Sequence, residues 1–148
     1  MGRLNDKIAI VTGGASGLGT GIAQRFVEEG ARTIITDINA EGEAVAKQLG
    51  AEFLTQDVST ERSWIDTIDE VISRFGRLDV LVNNAGIFSS SPVDETKLED
   101  WRRVMDVNLT GVFLGCKHAV RAMKENTGPT RGSIVNLSSV VGLRGQVG

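Results

Sequence analysis

Between Thr12 and Gly21 the chain places five glycines within nine residues, directly after the apolar run Ile8 to Val11 and directly before a helical periodicity. A helix N-terminus presents unpaired N–H groups and a partial positive charge, and a backbone without β-carbons lets a pyrophosphate approach it closely. Phosphate binding is the chemistry implied; a tight strand-to-helix turn with no ligand is the plainer alternative. Gly14 and Gly19 match the outer glycines of a P-loop, but Thr20 stands where a lysine must reach the terminal phosphates. What remains is Gly13-x-x-x-Gly17-x-Gly19, a variant of the dinucleotide-binding fingerprint.

A second apolar run, Thr33 to Thr36, ends in Asp37, 20 residues beyond Gly17. A carboxylate at that distance accepts hydrogen bonds from both hydroxyls of an adenosine ribose and repels a 2′-phosphate. Neither the glycine turn nor Ile38 and Asn39 supplies a basic side chain to offset that repulsion, so NAD is expected over NADP. Asp37 could also cap a helix beginning near Ala40, and the two roles are compatible.

The elements that must carry these groups follow from the hydrophobic pattern. Three more apolar runs, at Phe53 and Leu54, Leu78 to Val82, and Ile134 to Leu137, join the first two. Most do not alternate with polar residues, as expected of strands buried on both faces of a parallel sheet. Between them the period becomes helical: Leu18, Ile22, Ala23, Phe26 and Val27 share a face, as do Trp64, Ile65, Ile68, Val71, Ile72 and Phe75. The longest gap carries an apolar stripe through Leu109, Val112, Phe113, Cys116, Ala119, Val120 and Met123, with Thr96 and Glu99 as a capping box for the piece before it. Cys116, Trp64 and Trp101 are expected in the core, and the solitary His118 at the surface or in a subunit contact. Alternation of strand and helix predicts an α/β fold: a doubly wound parallel sheet of the Rossmann type with five strands present, forming one domain over 1–148. The polar stretch Lys124 to Gly132 is expected to be a surface loop.

With 148 residues, 41% hydrophobic and 24% charged, the composition is that of one ordinary globular domain. A formal net charge of −3 gives no footprint for nucleic acid or an anionic membrane. A single cysteine excludes an internal disulfide, no apolar run approaches the length of a membrane span, and a cytoplasmic location is the default expectation.

Glycines and an acidic residue would also suit Rossmann-like methyltransferases. Three further motifs discriminate: Asn83-Asn84-Ala85-Gly86 after the fourth run, Val107-Asn108-Leu109 on the long helical stretch, and Asn136 to Gly142 (NLSSVVG) at the end of the fifth. With T-G-x-x-x-G-x-G at Thr12 to Gly19, these resemble the short-chain dehydrogenase/reductase family in order and separation, across the whole chain. The resemblance implies that Gly13, Ser16, Gly17, Leu18 and Gly19 line the cofactor phosphates and nearby ribose. It places Asp37, with Ile38 beside it, at the adenosine ribose, Asp57 and Val58 at the adenine, and Asn84, Ala85 and Gly86 along the cofactor. Ser139 is the implied catalytic hydroxyl on the substrate oxygen, with Ser138 on the cofactor side, since successive strand residues point to opposite faces. Asn108 is implied to continue a proton relay through a water on its main chain; independently, its place on or beside the apolar stripe demands a partner for its amide, and a purely structural amide is the alternative. No metal is expected.

Hydride transfer between NAD and a small-molecule alcohol or ketone is the implied activity, in a homo-oligomer, with Phe88 to Val93 and Val140 to Gln146 bordering the substrate. The family's proton-transferring tyrosine and its lysine four residues later usually follow the active serine by about thirteen residues, which falls past Gly148, and the chain contains no tyrosine. The expectation is therefore a domain incomplete at its C-terminus, lacking later strands and inactive by itself. A noncatalytic nucleotide-binding or interaction module made of these residues alone is the alternative.

Overall fold

A computed structural model describes residues 2–144. Its centre is a five-stranded parallel sheet in the order β3-β2-β1-β4-β5: β1 (Ile8–Thr12), β2 (Arg32–Asp37), β3 (Glu52–Thr55), β4 (Val80–Asn83) and β5 (Ser133–Asn136). The five apolar runs all become strands, with ends displaced by a residue or two. Helices α1 (Gly17–Glu28), α2 (Gly42–Leu49), α3 (Glu61–Phe75), α4 (Leu98–Met105) and α5 (Gly111–Met123) connect them. This is the doubly wound, Rossmann-type arrangement expected from the alternating pattern.

The period-two geometry of strands divides the core into two layers. Ile10, Ile34 and Leu81 point toward Trp64 and Val71 of α3 and Leu114 and Ala119 of α5. Their neighbours Val11, Ile35 and Val82 point the other way, onto Ala23 of α1 and Ala46 of α2. All five residues of β1 are buried, which explains its unbroken apolar sequence. The chain runs outward from β1 through β2 to β3 and then returns to place β4 on the other side of β1, so the strand order reverses there. At such a switch point the carboxyl ends of the strands open a crevice.

Several expectations are corrected by the packing. The stripe on the long helix is rotated: α5 buries Gly111, Leu114, Gly115, His118, Ala119 and Met123, while Leu109, Phe113 and Val120 are exposed. Small residues decide this, because a β-carbon on Gly115 would lie 2.8 Å from the Trp64 ring and one on Gly111 3.0 Å from the Val58 carbonyl. Glycine on that face lets α5 approach closely, and close packing outweighs the size of the apolar side chains on the other face. Trp101 is 55% exposed on α4, not core, whereas Trp64 is fully buried and donates its indole N–H to the Val58 carbonyl. His118 is buried rather than superficial, with Nε2 3.1 Å from Glu61 Oε1. The capping box does not form: Lys97 is the N-cap of α4, and the Thr96 hydroxyl donates to the carbonyls of Ser91 and Pro92. Among the described residues no helix is long and apolar enough to cross a membrane.

Candidate functional site

The glycine turn lies over the carboxyl end of β1 and is fastened from beneath. Thr12, buried at the strand end, accepts hydrogen bonds at Oγ1 from the amides of Asn84 and Ala85, both at 3.0 Å. Asn84 returns the contact, donating from Nδ2 to the carbonyls of Thr12 at 2.8 Å and Gly13 at 3.2 Å. Thus the two motifs after β1 and β4 form one hydrogen-bonded unit. Gly13 has φ +65° and a β-carbon there would sit 2.8 Å from Ala85 Cα; a β-carbon on Gly19 would run into the Gly13 carbonyl. Gly17 differs: its φ is +56°, yet nothing lies within 4 Å of where its β-carbon would be. Gly17 also lines a cavity at this end of the sheet, and without a β-carbon it leaves the first turn of α1 bare. The N-cap Ser16 makes no side-chain capping bond and the first turn carries no acidic residue, so the helix's partial positive charge faces the cavity without an internal counter-group.

The cavity measures about 810 Å³ and runs along the crevice. Gly13, Ser16, Gly17 and Leu18 line one stretch of it, Asp37, Ile38, Asp57 and Val58 another, and Asn84, Ala85 and Gly86 its floor. Leu18, expected on the packed face of α1, is 75% exposed for this reason. Gly19 contributes through close packing and is not a lining residue. The Asp37 carboxylate accepts from the Ala15 amide at 3.1 Å and from the Asn39 amide at 3.0 Å. It does not cap the following helix, whose N-cap is Glu41.

Asn108 lies in a π-helical turn, Asp106–Thr110, between α4 and α5. Its side chain is exposed rather than part of the buried face, and it is fully engaged: Oδ1 accepts from the Ile87 amide at 2.9 Å and Nδ2 donates to the Ile87 carbonyl at 2.7 Å. A reciprocal amide pair of this kind fixes the loop after Gly86 against the long helix. Single π-helical turns of this kind are rare and frequently occur at functional sites. Cys116 is half-buried, not apolar core; its Sγ lies 3.7 Å from Asn83 Nδ2 and from Asn136 Oδ1, and the two asparagines bond at 2.8 Å.

Ser138 and Ser139 are exposed beyond β5 and do not line the cavity. Ser139 caps a short 3₁₀ turn, Val140–Gly142, its Oγ accepting from the Val141 amide at 3.4 Å. Of the stretch expected to border a substrate, Gly145 and Gln146 lie outside the described residues. Sequence reasoning missed Gln56, Ser59, Ile87, Glu99, Arg102, Arg103, Asp106 and Val107 of the cavity wall; Glu99 reads only as half of a capping box and Val107 only as the neighbour of Asn108, and only the fold brings α4 across from β2. Among the described residues no group of three or more His, Cys, Asp or Glu side chains is placed to hold a metal ion.

Residues 7–148 match the short chain dehydrogenase family. The chain is 45% identical, over 99% of its length, to 3-alpha-(or 20-beta)-hydroxysteroid dehydrogenase of Mycobacterium tuberculosis, of which it covers 56%. It is 44% identical to the NADP-dependent (R)-specific alcohol dehydrogenase of Lentilactobacillus kefiri and 41% identical to trans-4-hydroxycyclohexanecarboxylate dehydrogenase of Sinomonas cyclohexanicum, with 97% of this chain and 58% of the relative covered in each case. The chain thus spans little more than half the length of these relatives. With the glycine turn and the Asn84 to Gly86 segment lining one cleft and the family match running over residues 7–148, this chain belongs to the short-chain dehydrogenase family of oxidoreductases.

Proposed function

We propose that this chain is the NAD-binding part of an oxidoreductase that interconverts a secondary alcohol and a ketone. The observation that carries the choice of cofactor is Asp37: its carboxylate stands in the cavity wall, held by two backbone amides. So held, it can accept from ribose hydroxyls, and a 2′-phosphate would meet a fixed negative charge. The phosphate end is supported by Gly17, where the bare first turn of α1 faces open cavity.

The bound nicotinamide would supply hydride transfer; the chain's own residues bind and orient. Gly13, Ser16, Gly17 and Leu18 would form the phosphate cradle, with Gly19 packed beneath it, Asp37 and Ile38 at the ribose, Asp57 and Val58 at the adenine, and Asn84, Ala85 and Gly86 behind the cofactor. Ser138 and Ser139, which lie outside the cavity wall, would serve the cofactor side and the substrate oxygen, and Asn108, which holds the loop after Gly86, would also hold a relay water. Relatives named for a hydroxysteroid and a hydroxycyclohexanecarboxylate support a cyclic secondary alcohol as the substrate class.

Titration of the full-length protein with NADH and NADPH, followed by a screen of cyclic alcohols with NAD, tests the reading. Saturable NADH binding, weaker NADPH binding and alcohol-dependent reduction of NAD are expected. Tighter binding of NADPH, or no binding of either, overturns it.

A further inference from the structure

Charge in the cavity wall is unevenly supplied. Asp37, Asp57, Glu99 and Asp106 line it, against two cations, Arg102 and Arg103 of α4. Four acidic against two basic lining residues leave the wall formally acidic, although a dinucleotide is an anion. Salt screens exposed charges over about a Debye length, so their pull on a charged ligand weakens as ionic strength rises. The backbone amides of the glycine turn provide only partial charge. The full positive charges on this wall come from α4.

Neither arginine is committed elsewhere. Glu99 and Asp106 stand three and four positions from Arg102 and invite ion pairs along the helix, yet no ion pair or hydrogen bond of either guanidinium occurs among the described residues. Other arginines of this chain, such as Arg25, Arg62, Arg74 and Arg77, do pair with nearby carboxylates. Arg102 and Arg103 are exposed and line the cavity with their charge unspent.

We infer that Arg102 and Arg103 are specificity-determining residues that admit an anionic dinucleotide into an otherwise acidic cleft and set how steeply it prefers NADH to NADPH. This rests on the reading of the cleft as a dinucleotide site. Losing positive charge penalises ligands in proportion to their negative charge, so NADPH suffers more than NADH, and neutral adenosine is untouched.

The test measures dissociation constants of NADH, NADPH and adenosine by calorimetry, at low and at moderate salt, for the full-length wild type, R102Q/R103Q and R102K/R103K. NADH binding by the glutamine variant is expected to weaken about tenfold, NADPH binding more, and adenosine binding not at all. The deficit should shrink as salt rises, and the lysine variant should recover most of the affinity. Equal losses for adenosine and NADH would indicate a collapsed cleft rather than lost charge and overturn the inference. So would a glutamine variant binding NADH as wild type does while wild type binds well, which leaves the cofactor reading standing. A wild type that binds neither dinucleotide removes the cofactor reading itself.

Discussion

The Ala15 amide donates to the Asp37 carboxylate at 3.1 Å, tying the end of β2 to the glycine turn after β1. Because the second carboxylate oxygen accepts from Asn39 at 3.0 Å, the side chain is oriented before any ligand arrives, and little ordering entropy remains to be lost on binding. Asp37→Asn keeps the shape and removes the charge. NADH affinity is expected to fall about tenfold, as for loss of a charge-assisted hydrogen bond, while NADPH affinity holds or rises. The ratio of the two dissociation constants is the measurement; an unchanged ratio removes Asp37 from cofactor selection.

Two glycines of α1 respond oppositely to the same change. Gly19→Ala forces a β-carbon onto the Gly13 carbonyl and to 2.6 Å from Asn84 Nδ2, and overpacking of backbone costs about 1–3 kcal/mol. Gly21 has open space where its β-carbon would lie, so Gly21→Ala should gain about 0.5–1 kcal/mol from helix propensity. Chemical denaturation gives both values, with opposite signs expected for the two variants.

The sequence carries the fold and the cofactor side of the cleft because both are local. Strands buried on both faces are continuous apolar runs, and Gly13, Gly17 and Asp37 sit at spacings fixed by one strand, one turn, one helix and the next strand. What depends on how helices dock is not written that way. The rotation of α5 turns on Gly111 and Gly115, which have no hydropathy to register in a periodicity. Trp101 reads as core by its size, yet no neighbouring element covers it. His118 reads as a surface residue until the α3–α5 contact supplies Glu61. Arg102 and Arg103 look like any solvated pair of charges, and only the crossing of the chain at β1 brings them to the wall that Asp37 occupies.

Asn108 and Ile87 exchange two hydrogen bonds, at 2.9 and 2.7 Å, across a part of the molecule with little apolar burial. Asn108→Ala should therefore lower stability by only about 0.5–1.5 kcal/mol, since the freed groups of Ile87 can turn to water. The local effect is larger: hydrogen exchange at the Ile87 amide should accelerate strongly while that of Ile10, at the centre of the sheet, follows global stability alone. Unaltered protection of Ile87 would show that the pairing does not hold the loop.

Glu61 begins α3, and its Oε1 accepts from Lys117 Nζ at 2.6 Å and lies 3.1 Å from His118 Nε2. The hydrogen bond from Lys117, then that from His118, holds this carboxyl below the ordinary glutamate range. A depressed carboxylate binds fewer protons in the folded chain than in the unfolded one. Its stabilisation is thus complete above the unfolded value of about 4.3 and disappears as pH falls through the lower folded value. Glu61 is about half exposed, so water screens the contribution and it is small. Glu61→Gln should melt below wild type at neutral pH, and the two melting curves should converge as the pH is lowered toward about 3. Glu28 and Glu29 are also held low by Arg25 and Arg3, but they titrate identically in both proteins and cancel in the difference. A melting-temperature gap that stays constant across this range would mean that the Glu61 contact stabilises through packing on α5 rather than through charge.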